Sequence, residues 1–244
     1  ELQRTKSRKR KGVKRMIGII GAMDAEVEAI FDQMTDKEKL PVNNLAFYKG
    51  KLFGKEVVVV KCGVGKVNAA LCTQLLIQTF KVDSVINTGI AGATGKGLKI
   101  YDFVVSTEAV YHDFDTTLFG YKLGQVPGMP ETYKADEKLA DLALKAFENS
   151  DISSQHKIMK GRIASGDQFI SSAEKKDFIV KNFQPACVEM EGCAIAHACY
   201  ANKVPFVIIR CMSDCADEEA KEAYEEVKAS KASSSFLLEV IKEF

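Results

Sequence analysis

Ala186-Cys187-Val188-Glu189-Met190-Glu191 and Phe206-Val207-Ile208-Ile209-Arg210-Cys211-Met212-Ser213-Asp214 flank a stretch, 191–202, that is rich in Ala. Each outer stretch is a short continuous apolar run ending in carboxylates, as expected of a strand buried on both faces. The middle stretch reads as a helix. Strands separated by a single helix require a right-handed parallel crossover, which sets the fold class as α/β. In such sheets the carboxyl ends of the strands line the ligand crevice, so acids placed there point to an active site. Ile163-Ala164-Ser165-Gly166-Asp167 ends in the same way, and Ile17-Gly18-Ile19-Ile20-Gly21-Ala22-Met23 runs into Asp24, Glu26 and Glu28. An acid in a first helical turn is also an ordinary partner of the helix dipole. Four instances of mixed spacing, two of them beside Arg210 and Ser213, favour a site.

Outward from this unit the alternation continues. Residues 16–22 form a strand, followed by Glu26, Val27, Ala29, Ile30 and Met34 at helical spacing. Residues 45–52 and 56–61 read as a hairpin about Gly54-Lys55. A helix follows Gly63-Val64-Gly65-Lys66, and strands are expected at 82–87 and 103–110. Residues 113–133, with Gly120, Gly124, Pro127, Gly128 and Pro130, read as a long loop of functional or interface use. Helices at 136–149, 173–182 and from about 225, with strands at 157–165, 186–190 and 206–210, complete the order. The expected fold is a three-layer α/β single domain over 16–244, a mixed central β-sheet flanked by helices.

Composition narrows the class. With 244 residues, 46% hydrophobic and 27% charged, the chain has the make-up of a soluble globular domain with a substantial core. No apolar run approaches the roughly 18 residues that span a bilayer. The net charge of +1 conceals a basic leader: residues 1–15 carry eight Lys or Arg against Glu1, leaving the remainder near −6. The leader is expected to be disordered, vector-derived or a misplaced start, because the first strand begins cleanly at Met16. The acidic body argues against nucleic acid as a partner, and nothing suggests a membrane. Seven cysteines, an odd number mostly within apolar runs, read as reduced thiols of a cytoplasmic protein. Cys193, His197 and Cys199 could be drawn as a zinc site, but no CxxC pair supports it and no metal is expected; His112 and Asp113 fit an interface or structural role better. Gly63-Val64-Gly65-Lys66 sits where a phosphate loop would, yet it lacks the GxxxxGK[ST] spacing, and Asn68 breaks a GxGxxG fingerprint. No cofactor is expected. Thr88-Gly89-Ile90-Ala91-Gly92 reads as a turn whose amides could cradle a polar ligand atom.

Taken together, Gly18-Ile19-Ile20-Gly21-Ala22-Met23 with Glu26, Gly63-Val64-Gly65-Lys66-Val67-Asn68-Ala69-Ala70, Asn87-Thr88-Gly89-Ile90-Ala91-Gly92, Ser165-Gly166-Asp167-Gln168-Phe169-Ile170, Val188-Glu189-Met190-Glu191 and Arg210-Cys211-Met212-Ser213-Asp214 resemble the bacterial 5'-methylthioadenosine/S-adenosylhomocysteine nucleosidases of the nucleoside phosphorylase superfamily. The resemblance runs in order from Met16 to the C-terminus. It implies hydrolysis of an N-ribosidic bond in methylthioadenosine and S-adenosylhomocysteine, with adenine as leaving group, in methionine salvage. Asp214 then matches the general acid that protonates adenine N7, oriented by Ser213, and Glu26 the base that activates water. Glu191 matches the ribose-binding carboxylate, and Arg210 would hold the water and Glu191. Phe169 would stack on adenine while the Ile170 backbone reads its edge. Glu189, Met190 and the Ile90-Ala91-Gly92 segment are expected around the sugar. Val64, Tyr224 and, from a partner in a homodimer, Phe119 and Pro127 would wall the 5'-alkylthio pocket. Ile90 stands where several members have Ser, and Tyr224 where many have Phe, which implies tuning rather than loss of activity. The sequence does not rank methylthioadenosine, S-adenosylhomocysteine, 5'-deoxyadenosine or aminodeoxyfutalosine as substrates. Two other readings compete: a phosphate-dependent nucleoside phosphorylase, which would need cations where Asn87 stands, and a non-catalytic nucleoside-binding protein, which would not need both Glu26 and Asp214.

Overall fold

The computed structural model describes residues 15–217 and 225–244. The leader apart from Arg15 and the expected pocket residue Tyr224 lie outside the described residues. Along the chain run β1 (Met16–Gly21), α1 (Asp24–Gln33), β2 (Thr35–Val42), β3 (Leu45–Leu52), β4 (Lys55–Lys61), α2 (Lys66–Phe80), β5 (Ser84–Ala93), β6 (Phe103–Tyr111), β7 (Tyr133–Lys134), α3 (Glu137–Glu148), β8 (Ile158–Ser165), α4 (Ala173–Phe183), β9 (Cys187–Glu189), α5 (Gly192–Asn202), β10 (Phe206–Asp214) and α6 (Glu226–Lys242).

These strands make one mixed sheet in the order β10-β6-β8-β9-β5-β1-β4-β3-β2, with β7 beside β6. β5 is its hub. It lies parallel to β1 over Ser84–Asn87, parallel to β10 from Val85 to Gly92, and antiparallel to β9 at Gly92 and Ala93. Because β10 also pairs with β6, the strands β5, β10, β6, β8 and β9 close into a ring.

Burial of both sheet faces explains the continuous apolar runs. In β4 all of Val57 to Val60 are fully buried. Val57 and Val59 join Ile17 and Ile19 beneath α1, α3 and α6, whereas Val58 and Val60 join Ile20 beneath α2 and α5. Each such side chain contributes roughly 1.5–3 kcal/mol by leaving water. The α/β class and the mixed, helix-flanked sheet are as the sequence indicated.

Three expectations need correction. The parallel crossover expected from β9 through α5 to β10 is not found: β9 is antiparallel to β5 and β10 parallel to it, so the two run in opposite directions, and β9 pairs in parallel with β8 across α4 instead. The 88–92 segment is not a turn after a strand ending at 87: it continues β5, because β10 satisfies its backbone to Gly92. Likewise β10 does not stop at Arg210 but runs to Asp214, so that acid closes the strand rather than following it. The sequence reading places no element at 35–42, where β2 runs as an edge strand whose mostly exposed residues carry no apolar period.

Candidate active site

A cleft of about 620 Å³ opens at the carboxyl ends of β1, β5, β9 and β10, closed on one side by the loop after β8. Glu26, Val64, Ile90, Ala91, Gly92, Phe169, Ile170, Glu189, Met190, Glu191, Ser213 and Asp214 all line it, as do Ala22, Met23, Gln168 and Val188, which the sequence reading did not assign.

Glu26 is 3% exposed, in the first turn of α1. Its Oε2 accepts from the backbone N–H groups of Ala22 at 2.6 Å and Met23 at 3.0 Å, and Oε1 accepts from Ile90 N–H at 3.1 Å. The carboxylate therefore caps its own helix and ties it to β5. Burial raises its pKa, while Arg210 and the three N–H donors oppose that rise. Oε1 has a single donor and keeps a lone pair for a further partner. This approach needs a glycine on β5: a Cβ at Gly89 would lie 2.5 Å from Oε1. Ser233 of α6 fixes that stretch of strand by accepting from Gly89 N–H at 3.1 Å and meeting Thr88 Oγ1 at 2.8 Å.

A second group of carboxylates surrounds Arg210, a sequence-predicted site residue that is buried behind the cleft and does not line it. Arg210, 1% exposed on β10, donates through one terminal nitrogen to Asn87 Oδ1 at 2.6 Å and to Glu189 Oε2. The expected hydrogen-bonded pairing of Arg210 with Glu191 is thus replaced by one with Glu189, whose position two residues earlier, at the end of β9, faces β10 from inside the ring. Glu189 lines the cleft but is occupied by protein: Ser165 donates to Oε1, and the N–H groups of Glu191 and Gly192 donate to Oε2 at 3.1 and 2.7 Å. Glu191 reaches out instead, accepting among the described residues only from Gly65 N–H at 2.9 Å. Burial first, and then the nearby Glu189 charge, push its pKa up to about 7. Burial disfavours the Arg210 charge, but Glu189, Glu26 and Glu191 outweigh it and raise its pKa.

Asp214, 2% exposed, faces the other end of the cleft. Oδ1 accepts from Ala216 N–H at 2.8 Å, and Ser213 Oγ lies 2.8 Å from Oδ2 and 3.3 Å from the Ala91 carbonyl. Ser213 has one proton for these two acceptors, so it can serve Asp214 in either protonation state. Burial raises the Asp214 pKa against these hydrogen bonds. A Cβ at Gly92 would come within 2.8 Å of Oδ1.

Phe169 stands half-exposed over this end with Ile170 buried behind it. Phe119 is 75% exposed and Pro127 is also exposed; neither touches the cleft of its own chain. In the Gly63–Lys66 turn three amides already serve the protein: Gly63 N–H donates to the Ala22 carbonyl at 3.1 Å, Gly65 N–H to Glu191 and Lys66 N–H to Asp167 Oδ1 at 2.8 Å. His197 meets Tyr111 OH at 3.2 Å and stacks on Tyr133, while Cys193 and Cys199 are fully buried in the core.

Two acids at the two ends of an apolar-walled cleft, on a mixed sheet of this order, define the class. A sequence profile described as "Phosphorylase superfamily" matches residues 16–242. The 5'-methylthioadenosine/S-adenosylhomocysteine nucleosidase of Staphylococcus carnosus is 46% identical over 93% of this chain and 99% of its own length. The crystal structure of the Neisseria meningitidis enzyme of that name, in complex with methylthio-immucillin-A, superposes with a TM-score of 0.90 at 39% identity, covering 94% of this chain and all of that one. A futalosine hydrolase of Helicobacter pylori superposes with a TM-score of 0.89 at 35% identity, over 95% and 99% of the two chains. The chain belongs to the phosphorylase superfamily and, within it, to the family of 5'-methylthioadenosine/S-adenosylhomocysteine nucleosidases.

Proposed function

We propose that the protein is an N-glycosyl hydrolase that cleaves the N-ribosidic bond of 5'-methylthioadenosine and S-adenosylhomocysteine, releasing adenine and the 5-substituted ribose. The observation that carries this reading is the placement of Glu26 against Gly89 and Asp214 against Gly92. Both acids line the one cleft, Glu26 beside Ala22 and Met23 and Asp214 beside Ser213. In this reading adenine lies between Phe169 and the Asp214 end, and its edge meets the Ile170 backbone. Asp214 gives a proton to N7 as the C1'–N9 bond breaks and its electron pair passes to the base. Water on Glu26 Oε1 loses its proton to that carboxylate and adds to C1'. Ser213 orients Asp214, and Glu191 accepts from the ribose hydroxyls, such charged hydrogen bonds contributing about 1.5–3 kcal/mol.

The three buried carboxylates Glu26, Glu189 and Glu191 share one buried guanidinium, Arg210. Their excess negative charge stabilises the oxocarbenium-like sugar of such reactions and repels an attacking phosphate. Arg210 is already engaged by Asn87 and Glu189, which supports water over phosphate as the nucleophile. Adenine release from methylthioadenosine in phosphate-free buffer tests this reading. Free 5-methylthioribose is expected, and product formed only with phosphate, as the sugar 1-phosphate, would overturn it.

The site is proposed to be completed in a homodimer. Val67 and Leu71 of α2, Tyr200 of α5, and Leu118 and Phe119 of the long loop are 52–90% exposed, more apolar surface than a solitary chain usually leaves in water. Phe119 and Pro127 would then wall the partner's 5' pocket, with Val64 and Tyr224 contributed by the chain that binds the nucleoside. Six of the seven cysteines are buried free thiols, which supports a cytoplasmic location. Among the described residues no helix is long and apolar enough to cross a membrane.

A further inference from the structure

Two loops that wall the cleft and the root of a third, which carries Phe119, meet at one lysine. Lys66 opens α2 directly after the turn that carries Val64 and Gly65. Its ammonium reaches both oxygens of Asp113, at 2.6 and 2.7 Å, and lies 3.7 Å from Asp167 Oδ2. Asp113 Oδ2 in turn accepts from the backbone N–H of Asp167 at 2.8 Å, and Asp167 Oδ1 accepts from Lys66 N–H at 2.8 Å. Lys66, Asp113 and Asp167 therefore form a closed ring. The Lys66 and Asp113 side chains are only 20% and 12% exposed, and the ammonium sits 5.3 Å from the centre of the Tyr111 ring. A charge pair shielded to this degree fixes geometry better than a fully solvated one.

Two corners of the ring lead to walls of the cleft and the third to the long loop. One residue before Lys66, the Gly65 N–H holds Glu191, and two before it Val64 lines the cleft. One and two residues beyond Asp167, Gln168 and Phe169 form the wall above Asp214. Asp113 begins the long loop that carries Phe119. Glu26 and Asp214 are held elsewhere, by the β1–α1 turn, β5 and the end of β10, none of which the ring touches.

We propose that Lys66 is a positioning residue for nucleoside binding: through Asp113 and Asp167 it keeps the Val64–Glu191 wall, the Phe169 wall and the root of the Phe119 loop in mutual register. The kinetic part rests on the nucleosidase reading; the structural part does not. The test compares K66M, K66R, D113N and the K66M/D113N double variant. In K66M and D113N the KM for methylthioadenosine is expected to rise about tenfold or more, as misplaced binding walls do, with kcat within about threefold. K66R is expected to recover most of the loss, because it keeps the charge. The double variant is expected to be no worse than the poorer single one, as for residues acting through one shared interaction. Amide hydrogen exchange should quicken in K66M at 63–68, 112–119 and 165–170, leaving β5 and β10 protected.

An unchanged KM in K66M, additive losses in the double variant, or K66R as impaired as K66M would overturn the proposal. Should K66M fail to fold, D113N and K66R decide it by the same criteria. Absence of adenine release by the unsubstituted protein would instead refute the nucleosidase reading, and the exchange pattern would still decide whether the ring holds the three segments.

Discussion

Glu26 does two things with one carboxylate. Its Oε2 satisfies the N–H groups of Ala22 and Met23 that open α1, and its Oε1 keeps a lone pair free beside Gly89. The capping role expected of an acid in a first helical turn and the role of a general base are therefore compatible, because the two oxygens divide them. Glu26→Gln and Asp214→Asn are each expected to lower kcat by about 10² to 10⁴ with little change in KM, as the loss of a proton-transfer group does, measured as adenine release. Protonation gives a second check. Burial raises the Asp214 pKa, and the acid must carry its proton to donate it, so activity should fall as pH rises through that pKa. Asp214→Asn should remove this alkaline limb from the residual activity. For Glu191 the consequence is one of stability. Its folded pKa of about 7 lies above the ordinary glutamate value of 4.5, so between those values the folded state binds more protons than the unfolded one. Stability should then decline as pH rises from about 4.5 to about 7, and Glu191→Gln should flatten the decline in urea titrations followed across that range.

At the scale of elements, β5 and β10 make the site. Gly89→Ala would place a methyl carbon 2.5 Å from Glu26 Oε1, and Gly92→Ala would place one 2.8 Å from Asp214 Oδ1. Both variants are expected to fold with unchanged circular dichroism yet lose about 10²-fold in kcat/KM, since small displacements of reacting groups are this expensive. Arg210→Met should act on stability as well: it leaves Glu189 and Glu191 buried without their cation, and removing one partner of a buried charge pair costs about 3–5 kcal/mol, measurable by urea denaturation. Much of this was legible in the chain. The acids at 26, 189, 191 and 214 follow apolar runs, which marks them as site candidates, and the ends of the parallel strands β1, β5 and β10 gather as the pattern implies. Glu189 and Glu191 join them from β9, which runs antiparallel to β5, and that meeting depends on the closed ring. What could not be read depends on distant pairing. The 88–92 segment looks like a turn until β10 pairs with it. Thr35-Asp36-Lys37-Glu38-Lys39 carries no apolar period to announce an edge strand. The choice of Glu189 over Glu191 as partner of Arg210 depends on how β9 faces β10 within the ring. Lys66, Asp113 and Asp167 meet only through the fold.

For the whole molecule, the telling feature is the apolar surface that α2 and the long loop leave exposed. Phe119 and Pro127 lie off their own cleft, and Val67, Leu71 and Leu118 face outward. Sedimentation is expected to give twice the 26.9 kDa chain mass. Replacing Phe119 with Ala should raise KM for methylthioadenosine by about tenfold, the scale expected when a substrate pocket is deprived of one apolar side chain, while leaving inhibition by free adenine unchanged. A monomer with full activity would remove the partner from the account. The central claim is that Glu26 delivers water, and not phosphate, to the anomeric carbon beneath a base protonated by Asp214. Its most direct test is turnover of methylthioadenosine in ¹⁸O-enriched water containing phosphate, with the released sugar read by mass spectrometry under conditions that block exchange at C1. The predicted result is one ¹⁸O at C1 of free 5-methylthioribose, formed at a rate that phosphate does not alter and that Glu26→Gln suppresses; unlabelled sugar 1-phosphate as the product would contradict it.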